Sequence, residues 1–122
     1  MATPVKLDPQ KGIPQVEITV GNIQSAIYSC WLEKMDDTEI ASWNTNKIDL
    51  SSATGIKKVQ DLNQIFFFWK LKVLKVISNV DTKYKVAINF TQDNKPMCDP
   101  IICQGTFSGD VQLCYDAVLF HL

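Results

Sequence analysis

The sequence predicts an all-β protein, an immunoglobulin-like antiparallel β-sandwich of about seven to eight strands. Three observations carry that expectation. Residues Ile65 to Ile77 read IFFFWKLKVLKVI, where Phe67, Trp69, Leu71 and Val73 recur two apart around Lys70 and Lys72. Between Tyr84 and Thr91, the residues Tyr84, Val86, Ile88 and Phe90 alternate with Lys85, Ala87, Asn89 and Thr91. A period of two sends one set of side chains to each face of a strand. Further short apolar runs recur between clusters of Gly, Asn, Asp and Ser, the turn spacing of a sandwich.

The 65–77 run organises the rest. Its aromatic and branched residues suit a pleated surface. Read as a helix, Lys70, Lys72 and Lys75 would spread round the cylinder and leave no apolar stripe. The alternation changes phase where Leu74 follows Val73, which predicts a β-bulge or sharp bend there.

The other elements follow in chain order. Pro4, Pro9 and Pro14, with Gly12, favour an extended arm over residues 1–14. The single sandwich domain is then residues 15–122. Val16, Ile18 and Val20 form a half-buried strand. Tyr28, Cys30 and Leu32 point inward from the next, which leaves Trp31 facing out or lying under a loop. These two runs are expected to pair around Gly21–Gln24. Weak strand signals at Ile40–Trp43 and Ile48–Leu50 flank a turn at Asn44-Thr45-Asn46. Ser51 to Gly55 reads as a loop, and Lys57 to Gln60 as the start of a short strand. The loop Ser78–Thr82 makes the Tyr84–Phe90 strand the expected neighbour of the long one. Gln92 to Pro96 is a turn, and Ile101 to Phe107 another strand. In Val111–Leu122 both parities are apolar, so this strand is central, or is covered by core on one side and a partner on the other.

Composition narrows the function. The chain has 122 residues, 46% of them hydrophobic, enough for one domain with a real core. Its net charge is −1, and all 12 basic residues are lysine. Without arginine's planar fork, specific nucleic-acid recognition and phosphoryl transfer lose their usual tool. No apolar run approaches the roughly 20 residues of a membrane span. Neither nucleic acid nor membrane is therefore an expected partner. Eight lysines between Lys57 and Lys95 face only Asp61, Asp81 and Asp93. They read first as solvated strand faces and second as a surface for an anionic partner.

The N-terminus has no apolar signal region, so the expected location is cytoplasmic, with leaderless secretion left open. In that setting Cys30, Cys98, Cys103 and Cys114 read first as free thiols. A bridge is the second reading, and Cys98 with Cys103 would need a turn at Asp99-Pro100 to meet. The spacing lacks the paired knuckles of zinc sites. The adjacency of Cys30 and Trp31 also departs from the Cys–Trp–Cys framework of antibody domains.

No catalytic constellation stands out, and no enzyme is expected. His121 is the only histidine, so any nucleophile–histidine pair would depend on it. Asp36-Asp37 reads as a solvated pair. The sequon Asn89-Phe90-Thr91 falls within a strand and reads as a chance match. The candidate ligand-binding residues are Trp43, Asn44, Asn46 and Asp49. An indole face beside amides and a carboxylate suits a sugar ring or an apolar partner. Asp36, Asp37 and Asp49 offer hard oxygens of the type calcium takes. Turn formation explains such loops more simply, and no metal or cofactor is expected. The leading expectation is a non-catalytic binding or assembly module that self-associates through apolar strand faces. The alternative is a carbohydrate-binding, lectin-like sandwich using the Trp43 loop.

Overall fold

Alternating side chains make strands that each have one apolar face, and burying those faces against each other produces two sheets. The computed structural model describes residues 2–21, 24–75 and 83–122. Among them ten strands run in chain order: β1 (Thr3–Lys6), β2 (Gln15–Val20), β3 (Gln24–Glu33), β4 (Glu39–Trp43), β5 (Lys47–Asp49), β6 (Ile65–Lys75), β7 (Lys83–Gln92), β8 (Lys95–Pro96), β9 (Ile101–Thr106) and β10 (Val111–His121). The front sheet has the order β1-β10-β6-β3-β4. The back sheet has the order β5-β2-β7-β8, with β9 also paired to β7. All pairings are antiparallel except β1 with β10, which is parallel. The protein is an all-β sandwich.

The inner faces meet in one core. Leu32, Phe67, Trp69, Leu71, Val73, Val118 and Phe120 come from the front sheet, and Val16, Ile18, Val86, Ile88 and Phe90 from the back. Phe90 is the joint between them. Its ring stands edge-on to Phe67 at 5.8 Å and to Phe120 at 5.9 Å. Each such ring, fully buried, stabilises the fold by about 2–3 kcal/mol.

Several pairings differ from the sequence reading. β2 and β3 do not pair: β2 lies between β5 and β7, and β3 lies between β4 and β6. The turn residues Asn22 and Ile23 lie outside the described residues. β7 is not the neighbour of β6 either. It faces β6 across the core, and β6 pairs with β3 and β10. Stacking face to face buries both apolar sets against each other, which hairpin pairing within one sheet would not do. The connecting residues Val76 to Thr82 lie outside the described residues.

The bulge expected at Val73–Leu74 is absent. Register runs unbroken there, with Leu74 opposite Ser25 on one side and Val111 on the other. An apolar residue needs no change of phase when the outer face it joins is itself apolar. The register shift recorded instead lies between Leu32 and Glu33, where β3 meets β4. Lys57 to Gln60 does not begin a strand. Val59–Leu62 is a 3-10 turn, and the Asp61 carboxylate accepts from the backbone N–H of Lys57 at 2.9 Å and of Lys58 at 3.1 Å. Between β7 and β8, Asp93 and Asn94 both have positive φ (51° and 64°), the two-residue turn that matches strand twist.

The segment before β2 belongs to the sandwich edge. Val5 and Leu7 are buried, and Leu7 donates its N–H to the His121 carbonyl at 2.7 Å. Buried Gln92 fastens the following loop to β7. Its Oε1 accepts from Asp8 N–H at 3.1 Å, and its Nε2 donates to the carbonyls of Asp8 at 3.1 Å and Gly12 at 2.9 Å.

The expectation of four free thiols also fails. Cys103 on β9 and Cys114 on β10 form a disulfide, with Cα atoms 6.3 Å apart. It ties the back sheet to the front. Cys30 and Cys98 are free, so Cys98 is not bridged to Cys103. The chain turns between β9 and β10, which brings Cys114 rather than Cys98 within bonding reach of Cys103.

Candidate functional site

Residues that alternate out of the core form the two outer faces, and the two faces differ in kind. On the back sheet, β2 presents Gln15, Glu17 and Thr19, and β7 presents Asn89 and Thr91. Lys47 and Asp49 of β5 lie alongside Glu17 and Gln15. β9 adds the exposed Ile102 beside Ala87, and the rest of this surface is polar.

The front sheet presents rungs read off the register of β3, β6 and β10. From one end they are Ser25–Leu74–Val111, Ile27–Lys72–Leu113, Ser29–Lys70–Tyr115, Trp31–Phe68–Ala117 and Glu33–Phe66–Leu119. Pro4 of β1 extends the last rung beyond Leu119. Trp31 and Phe68 stack with centroids 5.4 Å apart and planes within 10° of parallel. Phe66 lies 5.7 Å from Phe68. The Trp31 indole N–H donates to the Glu33 carboxylate at 3.0 Å, which fixes the ring flat on the sheet. Tyr115 is 72% exposed, Ile27 56%, Val111 48% and Leu113 44%. A shallow groove of about 580 Å³ runs over this surface, between Trp31, Phe66 and Phe68 on one side and Leu113 and Tyr115 on the other. Lys70 stands within it.

The four residues proposed from sequence do not gather into one site. Trp43 is half-buried against the core, and its indole N–H donates to the Ser52 hydroxyl at 3.0 Å. Asn44 is exposed and borders the front surface beside Ile27 and Ser29. Asn46 instead bonds to β2: its carbonyl accepts from Ile18 N–H at 2.8 Å and its side-chain amide donates to the Ile18 carbonyl at 3.5 Å. Asp49 caps the 3-10 turn Leu50–Ser52, accepting from the Ser51 N–H at 3.0 Å and the Ser51 hydroxyl at 2.7 Å. Three of the four therefore have polar atoms engaged within the chain.

The remaining reactive groups are dispersed. Hydrogen bonds from Thr38 hold the Asp36 carboxyl below its usual range, within the tight turn joining β3 to β4. Among the described residues, no three His, Cys, Asp or Glu side chains converge as a metal site. Burial pushes the Cys30 thiol up to about 12. Cys98 is raised by burial and then by neighbouring Asp99. Both thiols stay protonated near neutrality, the opposite of an activated nucleophile. His121 Nδ1 lies 3.1 Å from the Leu122 carbonyl at the C-terminal end of β10. The Asn89 side-chain amide donates to the Glu17 carbonyl at 3.2 Å.

Sequence reasoning passed over Phe66, Phe68 and Tyr115 as a surface. The signal was present in two places, the apolar residues on both parities of Val111–Leu122 and the unbroken IFFFW run. What joined them was the register of β3, β6 and β10, which periodicity within one strand does not carry. Comparison with protein-family models, with curated proteins and with solved structures gives no match to this chain.

Proposed function

We propose that this chain is a non-catalytic binding and assembly module that self-associates through the outer face of its front sheet. The observation that carries this reading is the asymmetry of the sandwich. Four of the seven large hydrophobics most exposed among the described residues, Ile27, Val111, Leu113 and Tyr115, lie on that face around the Trp31–Phe68 stack. A concentrated apolar patch of this type marks an interaction surface, and aromatic anchors dominate such interfaces. A protein surface suits it better than nucleic acid or membrane, since the chain has no arginine and a net charge of −1.

The carbohydrate reading of the Trp43 loop draws less support, because Asn46 and Asp49 already spend their side chains on β2 and the 3-10 turn. Unchanged tryptophan fluorescence on adding sugars and calcium removes it. The immunoglobulin-like description of the sandwich also stands as a proposal. The side-by-side order β3-β6-β10 and an inter-sheet bridge support it. The back-sheet strands inserted between β6 and β10 in the chain depart from it. The Cys103–Cys114 bridge supports an oxidising compartment in place of the cytoplasm read from sequence.

Sedimentation velocity tests the assembly. The expected result is a concentration-dependent shift from one chain to two, abolished by Tyr115→Asp. A single-chain species at all concentrations overturns it.

A further inference from the structure

A face that binds its own copy must be complementary to itself, and the rungs of the front sheet limit how that can happen. Two copies pressed face to face are related by a two-fold axis lying in the interface. Only two directions keep the strands of the sheets roughly aligned, along β6 or across it. An axis along the strands and directly over β6 keeps each rung opposite itself. Lys70 would then lie over Lys70 and Lys72 over Lys72, while Leu119 would cover the charged Glu33. Like charges brought together in an interface cost several kcal/mol.

An axis across the strands, through the Trp31–Phe68–Ala117 rung, reverses the rungs. Glu33 and Phe66 lie one rung to one side of that line, and Lys70 and Tyr115 one rung to the other. The reversal sets Lys70 over the Phe66 ring and next to Glu33, a cation placed on an aromatic face and beside a carboxylate. Tyr115 is set over Leu119, and the Trp31–Phe68 stack over its own image. Lys70, Phe66, Tyr115, Leu119 and the Trp31–Phe68 stack then each meet a group of suitable chemistry.

We infer that the partner surface is a second copy of this chain docked with its strands reversed, so that Lys70 of each protomer meets the partner's Glu33. This rests on the assembly reading above and goes beyond it by fixing the docking direction.

Equilibrium sedimentation of charge-swapped variants tests it, with circular dichroism confirming that each variant is folded. Lys70→Glu and Glu33→Lys should each weaken the dimer about tenfold or more, and the double swap should restore most of that loss. Glu33 also accepts from the Trp31 indole, so Glu33→Gln serves as a second variant. It keeps an acceptor for the ring, and should weaken the dimer through loss of charge alone. If the protein dimerises and Tyr115→Asp breaks the dimer, but the double swap is no better than the sum of the singles, the docking direction is overturned and the assembly reading stands. If the wild-type chain is a monomer throughout, both are overturned.

Discussion

Cys30 lies on β3 between Trp43 of β4 and Trp69 of β6, fully buried. A thiolate there would lose its water and gain no cation, so burial pushes the thiol up to about 12 from an ordinary value of 9.0. A folded pKa above the unfolded one means the native state keeps its proton after the unfolded chain has lost it. The stabilisation is complete below about pH 9 and disappears as the pH rises toward 12. Between pH 8 and pH 10.5 the wild-type protein should therefore lose about 2 kcal/mol through this one group. Urea unfolding at both pH values, compared with Cys30→Ala, isolates the effect. The variant starts lower, having given up packing, but should fall less steeply. Parallel pH dependence in the two proteins would mean that Cys30 titrates normally in the fold. Parity alone placed this residue: it follows Tyr28 and precedes Leu32 on the inward set. The same parity left Trp31 facing out or lying under a loop, and in the structure it faces out, stacked on Phe68. Trp43 was harder to read, because its ring is shared between the core and the Ser52 hydroxyl, and no periodicity in a five-residue strand reports that.

Among the elements, the alternation of β6 and β7 was legible because a half-buried strand writes its two faces into every second residue. Their partners were not legible. Alternation says which face is buried and nothing about whether a strand's neighbour lies beside it or across from it, so β2–β3 and β6–β7 were mistaken for hairpins. Each of those connections crosses between sheets. The β9–β10 connection crosses too, and the Cys103–Cys114 bridge clamps it over a separation of 11 residues. Closing so short a loop in the unfolded chain is worth about 3 kcal/mol by the chain-entropy account. The Cys103→Ala, Cys114→Ala double variant should lose about that much stability in urea, and reduced wild-type protein should unfold with it. Equal midpoints for reduced and oxidised protein would mean that the inner-face packing of β10, with Val118 and Phe120, holds the sheets together unaided. The cysteine spacing did not reveal this pair, since a through-space partner on the opposite sheet leaves no mark in the sequence.

The whole molecule is a sandwich with unlike surfaces. Its back face carries amides, hydroxyls and mixed charges, while its front face carries a tryptophan, two phenylalanines and a tyrosine around a single lysine column. Apolar residues on both parities of one strand and the unbroken IFFFW run were the sequence's statements of this, and they become intelligible once β10 is seen beside β6 inside the front sheet. Water contact at those rings is unfavourable in the isolated chain, and covering them stabilises the folded state by linkage, because the unfolded chain has no such face to present. If the proposed self-association covers them, stability should depend on protein concentration. For two chains unfolding together, each tenfold rise in concentration adds about 1.4 kcal/mol per dimer. Shared between two chains of this length, that is a rise in Tm of about 2–3 °C. Differential scanning calorimetry over two decades of concentration should record it for the wild-type chain. Tyr115→Asp should melt at one temperature throughout, because the side chain it alters is the most exposed on the face and contributes little to the core. A wild-type Tm that does not move with concentration would mean the front face is covered by nothing of its own kind.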